Sequence, residues 1–247
     1  MTVILFALLG LLVGGLVNQL GSDLPARRGL TRPHCPYCGR DRPWQQWLSI
    51  PAYLIARARC PHCDAPIGLR HPLVEAGLAA AYGYLWLRFG PSVELVLYLV
   101  YGAILTIVLV TDIERRLILN VVMFPSIVFA VVASFFTPGM RWDFALLGGA
   151  IGFAFFFAAA LVGNAVFGSG ALGGGDVTLA TFVGLIVGFP LIIEALVLTI
   201  LIGAAVSLVL LVTRVRTLRD HIPYGPFIVA GAVVTLLWGY PIAWALF

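Results

Sequence analysis

Apolar runs close to the length of a bilayer crossing take up most of this chain, and its positive charge is concentrated between a few of them. A helix of about 20 apolar residues spans a hydrocarbon core. Eight runs approach that length, at about 3–20, 72–89, 92–111, 120–137, 144–168, 177–189, 191–213 and 224–247. With 61% hydrophobic and only 11% charged residues among 247, a water-soluble core is excluded. The expected fold is an all-α polytopic membrane protein of about eight transmembrane helices. Its parts are a first helix (1–20), a polar insert (21–71) and a seven-helix body (72–247).

All fifteen basic residues are arginine. Eight (Arg27, Arg28, Arg32, Arg40, Arg42, Arg57, Arg59 and Arg70) lie in the insert. Arg115 and Arg116 follow the third run, and Arg214, Arg216 and Arg219 precede the last. If the N-terminus is outside, all thirteen of these face the cytoplasm and only Arg88 and Arg141 lie outside, as the positive-inside rule favours. A net charge of +4 spread in this way indicates membrane orientation, with no nucleic-acid partner. The first run has no basic stretch ahead of it, so it is not expected to be a cleaved signal. Asn18 and Gln19 are polar at its inner end. Glu94, Asp143 and Glu194 fall on the outer side as expected interfacial anchors, and Tyr82, Tyr84, Trp86, Trp238 and Tyr240 as packing or belt aromatics.

The insert holds four cysteines in two C-x-x-C pairs, Cys35/Cys38 and Cys60/Cys63. Paired knuckles of this kind close a tetrahedral Cys₄ zinc site. An arginine- and proline-rich segment has little to bury, so a structural Zn²⁺ would supply its folding energy. Two disulfides are the alternative, disfavoured on the reducing side of a membrane. A redox C-x-x-C would leave the duplication unexplained. His34 and His62 flank the knuckles as substitute ligands or solvated loop residues.

Two aspartates stand at ends of apolar runs, where a carboxylate is costly. Asp112 closes the third run, at a helix end whose dipole opposes a negative charge. Its bland reading is neutralisation by Arg115 or Arg116, with Glu114 as their surface partner. Asp176 follows Gly173-Gly174-Gly175, and its bland reading is a helix N-cap. The run it opens is short, about 20 Å for thirteen residues, so the glycine entry is expected below the membrane surface. Two facing carboxylates cannot both ionise cheaply; they would share one proton and supply both a base and an acid. No G-x-S-x-G, H-E-x-x-H or Walker pattern competes. Ser169 has only His221 to activate it.

On these residues the chain resembles the type IV prepilin peptidases, bifunctional leader peptidase/N-methyltransferases and G-x-G-D intramembrane aspartyl proteases. Gly173-Gly174-Gly175-Asp176-Val177 is similar to the family's G-x-G-D-V, and Asp112-Ile113-Glu114 with Leu119-Asn120 to its first aspartate segment. His221-Ile222-Pro223-Tyr224-Gly225-Pro226-Phe227 resembles F-x-P-Y-G-P-F, and Arg70-His71-Pro72-Leu73-Val74-Glu75 resembles R-Y-P-L-V-E. The cysteine knuckles and Gly14-Gly15-Leu16-Val17-Asn18 also match.

The resemblance implies an aspartic-type endopeptidase of the bacterial inner membrane with Asp112 and Asp176 catalytic. It would cut prepilin and pseudopilin precursors on the cytoplasmic side, then methylate the new N-terminus with S-adenosylmethionine. The glycines, Tyr224, Gly225 and Pro226 would shape the substrate groove, although Pro-Tyr-Gly-Pro is also an ordinary helix entry. Glu75 could pair with Arg70 or serve the methyl-transfer site beside the insert, which the resemblance associates with that activity. Two departures stand out. Thr178 takes the place of the family's lysine after the second aspartate, and no arginine follows Asn18 closely. Rival readings are a G-x-G-D protease of another membrane substrate and a non-enzymatic transporter or scaffold.

Overall fold

A computed structural model describes residues 1–35, 37–43, 46–55, 59–60, 62–167, 173–214 and 223–246. Ser169 and His221 lie outside them. The helices are α1 (Thr2–Asp23), α2 (Ser49–Ile55), α3 (Arg70–Phe89), α4 (Val93–Arg115), α5 (Asn120–Ser134), α6 (Trp142–Phe167), α7 (Gly174–Val187), α8 (Leu191–Val212) and α9 (Gly225–Leu246). Among the described residues strand pairing is limited to two single bridges, His34 with Asp41 and Arg59 with Pro66.

All eight predicted apolar runs are helical, but their lengths differ from the expectation. Among the described residues four stretches are long and apolar enough to cross a membrane: Thr2–Ala26, Val93–Arg115, Trp142–Ala165 and Leu191–Val212. The apolar stretches of α5, α7 and α9 are shorter, and α3 carries Arg70, Glu75 and Arg88. Eight full-length crossings are therefore not established by helix length.

The chain forms two compact units, Met1–Thr111 and Asp112–Phe247. In the first, α1 lies along α3 because glycine removes the side chains between them. A Cβ on Gly10 would come 2.3 Å from the Leu78 carbonyl oxygen, and one on Gly14 2.7 Å from Glu75 Cα. This is the small-residue spacing that lets helices touch backbone to backbone in lipid. Phe6 stacks on Trp86 at 4.5 Å, and the Tyr82 hydroxyl donates to the Leu99 carbonyl at 2.7 Å.

In the second unit α7 is the hub, packed against α5, α6, α8 and α9. Val177, Leu179, Ala180 and every residue from Phe182 to Val187 are buried. Gly148 and Gly184 make the α6–α7 crossing, where a Cβ on Gly184 would sit 2.1 Å from the Gly148 carbonyl oxygen. A helix enclosed by protein has its polar backbone ends covered by neighbours rather than lipid, so it need not reach both membrane faces. Glu194 departs from its expected role as an outer anchor. Both carboxyl oxygens are buried, without a hydrogen-bond partner among the described residues, on the side facing Gly239.

Candidate functional sites

Asp112 lies in the last turn of α4 and is 5% exposed. Its Oδ2 accepts the backbone N–H of Gly225, the first residue of α9, at 3.0 Å. The positive end of α9 thus offsets the unfavourable dipole of Asp112's own helix. Gly225 is what permits the approach, since a Cβ there would fall 2.5 Å from the same oxygen. Among the described residues no ion pair joins Asp112 to Arg115 or Arg116, so the simple neutralisation reading does not hold.

Asp176 is the third residue of α7, not its N-cap. The helix starts at Gly174 with Gly173 as cap, and Asp176 Oδ2 accepts the Gly173 N–H at 3.2 Å. Thr178, at the family's lysine position, donates its hydroxyl to the Gly175 carbonyl at 2.9 Å. The loop after Asp112 brings Ile118 onto Gly175, where a Cβ would sit 2.7 Å from Ile118 Cβ. The structure therefore draws the two aspartate segments together. Tyr224 packs edge-on against Phe156 of α6 and Phe227 of α9, at 5.9 and 5.6 Å. Among the described residues nothing lies within 4 Å of a Cβ placed on Gly174, and Pro226 is half-buried.

The four cysteine sulfurs all lie within 4.8 Å of one another. Cys35 is 3.7 Å from Cys63 and Cys38 is 4.0 Å from Cys60. Sulfurs bound tetrahedrally at about 2.3 Å from a metal are separated by about 3.8 Å, so the donor set fits such an ion. All four are free thiols rather than disulfides. The two knuckles repeat one backbone pattern. Gly39 N–H donates to Cys35 O at 2.9 Å and Asp64 N–H to Cys60 O at 3.0 Å. Both turn residues have positive φ, +70° at Gly39 and +58° at Asp64. Burial resists ionisation of Cys35. The N–H groups of Cys38 and Tyr37, with hydrogen bonds from Cys60 and Cys63, outweigh it and bring the thiol from 9.0 down to about 6.

A third polar cluster ties the insert to α1 and α3. Glu75 is fully buried and caps α2, accepting Ser49 N–H at 2.7 and 2.8 Å and Ile50 N–H at 2.9 Å. Arg70 turns to α1 instead, donating to the Asn18 carbonyl at 3.2 Å and the Ser22 hydroxyl at 2.8 Å. Asn18 donates its amide to the His71 carbonyl at 2.8 Å. Asp23 accepts the Thr31 N–H and the Gln19 amide, each at 2.8 Å. Sequence reasoning passed over Asp23 and Thr31; a lone acid at a helix end beside an arginine-rich segment gives no sign of a partner eight residues on.

Apolar helices, with two acid-bearing segments meeting where Ile118 reaches Gly175, define the class, a membrane protein with an acidic candidate site. A model of the type IV leader peptidase family matches residues 99–208, and the bacterial peptidase A24 N-terminal domain matches residues 8–89. The prepilin leader peptidase/N-methyltransferase of Bacillus subtilis (strain 168) is 30% identical over 232 residues, covering 93% of this chain and 92% of that protein. The Pseudomonas aeruginosa protein of the same name is 29% identical over 260 residues, covering 94% and 89%. That of Burkholderia pseudomallei (strain 1026b) is 30% identical over 223 residues, covering 89% and 72%. No solved structure matches. The chain belongs to the type IV leader peptidase family. Its relatives and apolar helices make it a bacterial membrane protein.

Proposed function

We propose that this chain cleaves type IV prepilin and pseudopilin precursors with Asp112 and Asp176 and then N-methylates the new N-terminus. The observation that carries the reading is the meeting of the two aspartate segments in one unit, through Ile118 on Gly175. With one proton shared, the ionised carboxylate takes a proton from water, which attacks the scissile carbonyl. The protonated partner then gives its proton to the leaving amine. Gly225 N–H fixes the rotamer of Asp112. Among the described residues nothing crowds Gly174, which leaves room for an extended peptide, with Gly173, Gly175, Tyr224 and Pro226 as walls.

Eight crossings, with the N-terminus outside, put both acids on the cytoplasmic side of the inner membrane. Burial of α7 explains how a helix of about 21 Å can belong to that set. Cys35, Cys38, Cys60 and Cys63 hold a structural Zn²⁺ that staples the insert. The methyl donor is S-adenosylmethionine, which supplies an electrophilic methyl on a sulfonium. Glu75 supports that site by fixing α2.

The test is incubation of membranes with a prepilin-like substrate, reading the product's N-terminus by mass spectrometry. Asp112→Asn and Asp176→Asn are each expected to slow cleavage by about a thousandfold or more, while methylation of a pre-cleaved peptide persists. Undiminished cleavage in either variant would overturn the dyad, and no cleavage by the wild type would favour a scaffold or transporter.

A further inference from the structure

Within the first unit a cavity of about 100 Å³ opens between the inner end of α1, the start of α3 and the insert. Asn18, Arg42, Trp47, Ser49 and His71 are among its walls. Asn18 is 4% exposed, and although its amide nitrogen is bound to His71, its Oδ1 is buried without a partner among the described residues. A buried carbonyl oxygen left bare is costly, so the cavity suits a donor that arrives with an occupant.

The walls also define the occupant's charge. Arg42 is a cation among them, and among the described residues no carboxylate lines the cavity. The acids bonded to wall residues are already engaged: Glu75 by Ser49 and Ile50, and Asp23 by Gln19 and Thr31. An ammonium alone would therefore find neutral acceptors, the bare Asn18 oxygen among them, beside a repelling guanidinium. An occupant that carries a carboxylate beside its ammonium satisfies both. Trp47, half-exposed and fixed by donation of its Nε1–H to the Arg42 carbonyl at 3.1 Å, adds an aromatic surface suited to a cation.

We propose that this cavity holds the amino-acid end of S-adenosylmethionine, Arg42 pairing with its carboxylate and Asn18 Oδ1 accepting from its ammonium. The assignment rests on the methyltransferase reading above and gives that activity a location. The processed pilin terminus, an amine without a nearby carboxylate, is the poorer fit.

The experiment is calorimetric titration of the purified full chain with S-adenosylhomocysteine and with methylthioadenosine, which lacks the amino-acid end. The wild type is expected to bind the first at least tenfold more tightly. Arg42→Gln and Asn18→Leu each bring S-adenosylhomocysteine close to the affinity of methylthioadenosine, whose own binding changes less than about twofold. Prepilin cleavage by the same preparations, which draws on other residues, certifies that they are intact. If Asn18→Leu does not fold, Arg42→Gln decides alone. An unchanged S-adenosylhomocysteine affinity, or equal weakening of both ligands, would overturn the assignment while a methylating wild type keeps the wider reading. A wild type that cleaves but neither binds these ligands nor methylates would end both.

Discussion

Asp112 occupies the end of one helix that disfavours a negative charge and the start of another that favours it. The second helix is 113 residues away in sequence, and its contact is one backbone N–H at 3.0 Å. Gly225→Ala puts a methyl 2.5 Å from Asp112 Oδ2 and 3.0 Å from its Cγ, so the carboxyl must move. Displacement of a catalytic group by about 1 Å can cost about a hundredfold in rate. The expected result is a loss of that order in kcat/KM for prepilin cleavage, with methylation of a pre-cleaved peptide unchanged. Loss of both activities together would mean a folding defect instead. Glu75 is a residue of another kind, since both its oxygens serve backbone N–H groups of α2. Glu75→Gln turns one acceptor into a donor facing those groups, a change that costs about 1–3 kcal/mol. Limited proteolysis should cut the insert faster while prepilin cleavage stays within about twofold. Unaltered protection combined with lost methylation would move Glu75 from support to chemistry.

Among the elements, the twin knuckles behave as one unit because neither can close a tetrahedral site alone. Chelation, or Cys60→Ser, is expected to release the metal and open the insert to protease, since metal binding supplies folding energy to such segments. Low pH should do the same, because ligands must be deprotonated to bind. A chromogenic chelator would show release growing as pH falls, and release that grows as pH rises would contradict the site. The knuckles were legible because ligand spacing is local, as were the helices at all eight apolar runs. Other features were not. Helix α2 is seven residues capped by a glutamate 25 or 26 positions later, and no local pattern announces it. The start of α7 was misplaced because a capping carboxylate can lie at the cap or three residues inside it, and glycines mark neither. Why Gly225 must be glycine becomes visible only once α4 and α9 are brought together.

For the molecule as a whole, the question is which way the chain faces, and charge favours one orientation where helix length favours none. Among the described residues four stretches are long enough to cross and others are shorter, so counting spans by length leaves the orientation open. Thirteen arginines cluster in segments that share one side in the eight-crossing arrangement, with only Arg88 and Arg141 opposite. Arg141 is held by a salt bridge to Asp143 at 2.6 Å, which blunts its opposition to that orientation. Epitope tags placed in the turn at Gly90 and the turn at Gly139 should be stained in intact spheroplasts. A tag after Gly29 should be stained only after lysis. The chemistry requires this outcome. A precursor whose polar leader remains in the cytoplasm presents its scissile bond at the inner face, so acids opening outward would meet only the pilin's distal end. Staining of the Gly29 tag in intact cells would therefore remove both the orientation and the proposed substrate.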